Sequence, residues 1–525
     1  MVLENKLWCT EEDGIDDVVR LQPLNIIKSK FAYITVSRVI VMLYNEVLFS
    51  TAQWETELEE KTALTQMDPS ITFGVEIEFI CVYEENAFTN LAKYPGLIPD
   101  EEKGEFDHVE PGHAIWYMLN KANIAAAGWE DLDAPPVRPY STWTVKEDEV
   151  QLSDGERRCI DGYEERPIEL TSPVLKLADP QSFQQIQRVL RTLAYMEDEF
   201  SCRFVTNKTC GLHVHIGCGE DKFIPLPVAK RVFQLTTAHE HNFDAMHAAS
   251  RVRAPIDCTG DDSYLLFAPL SFFHRNAEAS SCNKNVFHWL QSIEAARTYA
   301  DVCRFFQIEW GTNLLDGHRA TINFDNLFFS EVSRKVGDDV TKTIEFRQHV
   351  GSLDFVEISR YVLFLGYTVS YCFQAADEQF IKLLVKATDA RFTVEHLMHA
   401  VGAPADVLAL RPKKQNARLR CGSGVTVVSG GPPTALAALM ARNAHELAMN
   451  KDSDKTNEIR DEKWKSGLYG LDRAFSALVM DSDHVQDMIV EAASSVYGSQ
   501  PDVELDEVSS QARATVFSKL ANMYR

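Results

Sequence analysis

The 525-residue chain has no Cys-x-x-Cys pair among its eleven cysteines, and an odd, scattered set fits a reduced compartment better than a disulfide framework. It also lacks the roughly 18 uninterrupted apolar residues that a membrane helix needs. The stretch 31–52 is broken by Arg38, Asn45 and Glu46, and reads as a partly buried helix. The charge-free stretch 361–376 carries Ser, Thr, Gln and three Tyr, and reads as a core helix. A basic n-region followed by an apolar run is missing from the start, where Glu11, Glu12, Asp13, Asp16 and Asp17 also argue against an organelle transit peptide. Cationic excess is missing too. The 52 Lys and Arg face 77 Asp and Glu, giving a net charge of -25, with no basic patch to hold nucleic acid or an anionic membrane. A cytoplasmic protein without nucleic-acid or membrane partners is expected. No GxxxxGK[ST] loop is present, and the glycine-rich segment 421–433 lacks its lysine, so a nucleotide cannot be held through a Walker site.

What is present is a set of short alternating strands between amphipathic helices. Residues 67–405 are the expected catalytic domain, 1–66 an N-terminal extension, 406–467 a flexible linker and 468–525 a helical C-terminal tail. The linker reading rests on composition, which turns basic, then Gly- and Ser-rich, then highly charged over 451–465. Ser182 precedes Phe183, Ile186, Leu190 and Leu193 at helical spacing, and Pro227 opens a second helix toward Met246. The acidic stretch 100–110 reads as a surface insertion.

Four strands share one design. In Thr72-Phe73-Gly74-Val75-Glu76-Ile77-Glu78-Phe79, side chains alternate, so Glu76 and Glu78 share one face while Val75, Ile77 and Phe79 take the other. Two like charges on one strand face repel unless solvent or a cation compensates. In the segment 210–217, His213 and His215 share a face opposite Leu212, Val214 and Ile216; Cys210 and Cys218 fall on that opposite face, which argues against a zinc set with the histidines. In the segment 343–349, Glu345, Arg347 and His349 are expected on one face, with Ile344 and Phe346 behind. In the segment 167–173, Glu169 stands against an Ile/Leu back. Any one of these patterns alone is more often a solvated face. Four together imply one metal-loaded sheet face. Carboxylates with one or two imidazoles favour Mg²⁺ or Mn²⁺ over zinc, and an arginine beside a carboxylate suits phosphate recognition.

These residues resemble the amidoligase family, a branch of the carboxylate-amine ligases that includes glutamine synthetase. The matching pieces are 73–79 (FGVEIEF), 143–148, 169–173 (ELTSP), 210–217 (CGLHVHIG), 319–323 (RATIN) and 343–352 (TIEFRQHVGS). The resemblance implies an α+β fold in which a curved antiparallel sheet forms a funnel, with helices on its outer face. It further implies that Glu76, Glu78, Glu169, His213 and Glu345 are metal ligands. Arg347, Arg319 and Asn323 become candidates for nucleotide binding, and Arg347, Glu345 and His215 for catalysis. After Asp148 this chain has Glu149 and Val150 where the family usually has small residues. The implied reaction is ATP- and Mg²⁺-dependent joining of a carboxylate to an amine, each a small molecule or a peptide side chain. Two rivals stay open: a metal-dependent hydrolase using His213 and His215 to activate water, and a non-catalytic nucleotide-binding relative. His239, His241 and His247 fall in a predicted helix and read as core or solvated histidines.

Overall fold

A computed structural model describes residues 70–91, 109–128, 140–219, 222–252, 270–271, 285–306, 308–310, 313–315, 320–328, 342–404, 407, 439, 442–443, 453–470, 488, 490–492 and 505–523. The expected N-terminal extension with its apolar stretch 31–52, most of the acidic stretch 100–110, the glycine-rich segment 421–433 and Arg319 lie outside the described residues.

The centre of the fold is β1 (Thr72–Tyr83), whose twelve residues are enough to pair with two strands along each edge. One edge takes β5 (Leu175–Lys176) and then β4 (Glu164–Thr171); the other takes β7 (Gly211–Gly217) and then β6 (Cys202–Val205). Outward from β4 lie β3 (Trp143–Glu147) and β2 (Ala126–Ala127). Outward from β7 lie β11 (Ile344–Val350) and β10 (Ile322–Asn323). Among the described residues this open sheet has nine strands, and every pairing is antiparallel except β2 with β3, so the sheet is mixed. Strands β8 (Ile308–Trp310) and β9 (Asn313–Leu315) form a separate ribbon.

Alternation decides which face is covered. Val75, Ile77, Phe79, Val145, Ile168, Leu170, Leu212, Val214, Ile216, Ile344 and Phe346 are all buried and belong to one core cluster. Helices fill that cluster from their own apolar stripes: α1 (Pro111–Lys121), α2 (Pro180–Glu199), α3 (Leu226–Ala238) and, further along, α6 (Val286–Glu294) and α7 (Phe355–Gln374). Helix α2 starts at Pro180 because Asp179 caps it, accepting the amide of Gln181, and its Phe183 stacks on Phe73 at 5.3 Å. Helix α7 contains all but the last two residues of the charge-free stretch and is the core helix expected of it, with Asp354 capping Val356 and Glu357. Among the described residues, no helix is long and apolar enough to cross a membrane.

The helix opened at Pro227 ends earlier than its periodicity suggests. It stops at Ala238, and after His239 the chain resumes as α4 (Glu240–Asp244) and α5 (Ala249–Val252). Within the span expected to be a flexible linker, Ser453–Lys465 is a helix, α8, whose Lys463 is 2% exposed. The tail is helical at α9 (Leu505–Met523), where Arg513 bonds the buried Glu294 of α6.

Candidate active site and metal centre

Cross-strand register turns the alternation into rows. Asn323, Glu345, His215 and Gly74 are successive partners across β10, β11, β7 and β1. One step along, His213, Glu76 and Thr171 form a second row across β7, β1 and β4. A further step gives Glu78, Glu169 and Lys146 across β1, β4 and β3. Same-face neighbours in adjacent strands approach closely enough to interact, so residues more than 250 positions apart meet on one surface.

The second and first rows hold the tightest cluster. Nδ1 of His213 lies 3.1 Å from Glu76 and 3.6 Å from Glu345, while Nε2 of His215 lies 3.1 Å from Glu76 and 3.9 Å from Glu345. Ligand atoms of Glu76, His213 and Glu345 all lie within 4.8 Å of one another. Two carboxylates and one imidazole at that separation suit a hard divalent cation. Asn323, fully buried, donates to Glu345 at 2.9 Å, and Thr343 contacts Nδ1 of His215 at 3.0 Å. Such outer partners fix the rotamers of the groups that carry charge.

Electrostatics follow from this crowding. Burial pushes Glu76 up, but the charge of His215 and the hydrogen bonds of both histidines outweigh it and hold the carboxyl well below the usual range. Glu345 is likewise lowered against burial, by His215 and Arg347. His215 moves the other way, raised by Glu76 and Glu345 against its own burial. The Arg347 guanidinium is bonded to Glu345, and its Nε is buried without a hydrogen-bond partner among the described residues. A buried, unsatisfied donor next to a carboxylate cluster is an anion-binding feature in waiting.

The other expected ligands sit one step away. Glu78 accepts the Gly211 amide at 2.6 Å and lies 3.3 Å from Nε2 of His213. Glu169 is ion-paired to Lys146 at 2.7 Å and accepts the Thr171 hydroxyl. Burial and then the charge of Glu76 push Glu169 up to about 7 in spite of Lys146. Asp148 follows on this side of the site: its Oδ2 is buried with no hydrogen-bond partner among the described residues, and burial and Glu78 raise its pKa.

One expected face assignment is corrected. His349 does not join Glu345 and Arg347, because β11 carries a bulge: Phe346 pairs with Val214, yet His349 pairs with Leu212, three residues against two. His349 therefore turns to the helix side, 4.6 Å from the ring of Tyr361 and 5.7 Å from that of His247. His239, His241 and His247 are all buried on that side, away from His213 and His215. Cys210 and Cys218 also part company: Cys210 precedes β7 and packs in a small cluster with Ile80 and Val82, whereas Cys218 joins the main core. Burial pushes the Cys210 thiol up to about 12.

Lys146, ion-paired to Glu169, is a candidate site residue that sequence reading passed over. Its signal was available in the alternation Trp143-Thr144-Val145-Lys146, which sets Lys146 opposite the apolar Trp143 and Val145, and the structure pairs it with Glu169.

Residues 69–256 of the chain match a family model described as "Putative amidoligase enzyme". The resemblance drawn from the strand motifs holds over that span, which includes β1, β3, β4 and β7 but ends before β10 and β11. No curated protein matches the chain.

Proposed function

With a chain that matches the amidoligase family over β1 to β7 as the premise, we propose an ATP-dependent ligase that joins a carboxylate to an amine. The observation that carries this reading is the Glu76–His213–Glu345 cluster with Arg347 bonded to its edge. Glu76, His213 and Glu345 would hold Mg²⁺ or Mn²⁺, with Glu78, Glu169 and Asp148 completing a second position nearby. The ion, when bound, offsets phosphate charge. On this reading the sheet face lines a glutamine synthetase-like funnel, and a cytoplasmic setting supplies ATP and magnesium.

A carboxylate is a poor electrophile, so the chemistry begins by activating it. One carboxylate oxygen attacks the γ-phosphorus of ATP, the bond to ADP breaks, and an acyl phosphate forms. The amine lone pair then attacks the acyl carbon, phosphate leaves, and the nitrogen loses a proton to give the amide. Arg347 grips the phosphate oxygens through its planar fork, Asn323 holds Glu345 in place, and His215 keeps Glu76 and Glu345 ionised. Lys146, a second cation on this face, has donors beyond its bond to Glu169 and is assigned to the carboxylate substrate. Substrates are therefore a carboxylate and an amine, borne on small molecules or on a peptide.

The hydrolase alternative draws less support from the described residues. It needs further imidazoles near His213 and His215, and of the described histidines His239, His241, His247 and His349 all lie on the helix side.

The test is ADP release from ATP with Mg²⁺ across a panel of carboxylates and amines, comparing wild type with Glu345→Gln. Product that forms without ATP, or turnover indifferent to Glu345→Gln, sinks the proposal.

A further inference from the structure

The bulge in β11 sits opposite His213, beside the cluster, and the structure records what holds it. The bulge spans Arg347 and Gln348: Arg347 stays on the carboxylate face, bonded to Glu345, while the Gln348 side chain turns toward the helices and donates to Oδ1 of Asp244 at 2.7 Å. Asp244 ends α4 and is fully buried. Its other oxygen accepts from Lys463 at 2.6 Å and from the Tyr469 hydroxyl at 2.8 Å. Lys463 also donates to Glu240 at 3.0 Å and lies 4.6 Å from the Tyr469 ring centre. Downstream of the bulge, the Gly351 amide and Arg251 both donate to the carbonyl of Cys210, pinning β11 to the start of β7. Upstream, the Arg347 amide donates to the Thr321 carbonyl at 2.9 Å.

A bulge is an irregularity that needs outside support, and its common use is to re-aim a side chain next to an active site. Here the support arrives from α8, far beyond the span matched by the family model. We infer that Lys463, acting through Asp244 and Gln348, is a positioning residue that sets the bulge and thereby aims Glu345 and Arg347 at the bound metal and phosphate. Helix α8 is then part of the active-site architecture. The inference rests on the metal-site reading given above.

Its test uses the full chain and Mn²⁺ alone as probe, with affinity read by titration calorimetry and stability by thermal melting. Gln348→Met cuts the link to the bulge while leaving Asp244 and Glu240 paired with Lys463, so it folds and melts close to wild type. Its Mn²⁺ affinity is expected to fall about ten-fold, the lower end of what losing an outer partner of a ligand costs. Lys463→Arg should retain more affinity than Lys463→Met. Should Gln348→Met melt early, Gln348→Asn, too short to reach Asp244, is measured in its place. Wild-type Mn²⁺ affinity in the Gln348 variant overturns the inference. Wild-type affinity in Glu345→Gln overturns the metal-site reading instead, so the two failures are told apart.

Discussion

A β carbon at Gly211 would lie 2.5 Å from Nε2 of His213 and 3.2 Å from Oε2 of Glu78. The bare glycine lets the imidazole and the carboxylate share the space at the start of β7. Gly211→Ala is expected to push the His213 ring away from Glu76 and Glu345 and to weaken Mn²⁺ binding about ten-fold or more. Calorimetric titration of the variant checks this; unchanged affinity would place His213 outside the ligand set.

Arg347 is expected to be intolerant of the replacement that keeps its charge. Lysine at 347 cannot bond Glu345 and a phosphate in one plane, so Arg347→Lys should raise the KM for ATP and lower kcat about ten- to hundred-fold. Initial-rate measurements at varied ATP read both constants. Equal kinetics would show that the guanidinium makes no phosphate contact.

Lys146→Met should act on the other substrate. With Lys146 assigned to the carboxylate, its loss is expected to raise the KM for that substrate about ten-fold, roughly the worth of one charge-assisted hydrogen bond. Because Glu169 loses its ion pair in the same variant, Lys146→Met with Glu169→Gln is the informative partner. If the KM for ATP rises and that for the carboxylate does not, Lys146 belongs to the nucleotide.

Stability should carry a pH signature from outside the site. Glu197, 5% exposed at the end of α2, accepts the Phe204 amide, and burial pushes it up from 4.5 to about 7. The folded state thus holds this proton more tightly than the unfolded chain. Its contribution is fully present below pH 4.5 and is lost as pH rises through about 7, a difference of roughly 3 kcal/mol. Glu197→Gln keeps an acceptor for Phe204 and removes the titration. Melting curves across this window should therefore decline less with rising pH in the variant than in wild type, and parallel curves would refute the assignment.

Alternation alone made much of the site legible. Glu76, Glu78, His213, His215, Glu169 and Glu345 stand on the expected face because regular strands transmit parity faithfully, and the buried backs of β1 and β7 forbid a one-residue slip. His349 failed by the same rule, since no local signal in Arg347-Gln348-His349 marks a bulge whose support lies in Asp244. The helix at 453–465 was hidden for a related reason. Its charge density reads as solvated surface, but Lys463 spends its charge in the core, on partners 219 and 223 residues away. Pairing at such range leaves no trace in composition.

The dependence of buried acids on late cations bears on how the chain is made. Glu240 and Asp244 leave the ribosome long before Lys463, the cation that bonds both in the finished protein, whereas Glu294 follows one of its cations, Lys230, and precedes the other, Arg513. A carboxylate sealed in a core without its counter-ion costs several kcal/mol. Sealing Glu240 and Asp244 of α4 in the core is therefore unfavourable until α8 has emerged. A chain stalled before residue 453 thus holds these two carboxylates without the cation that bonds them, and Gln348 with its anchor Asp244 unneutralised.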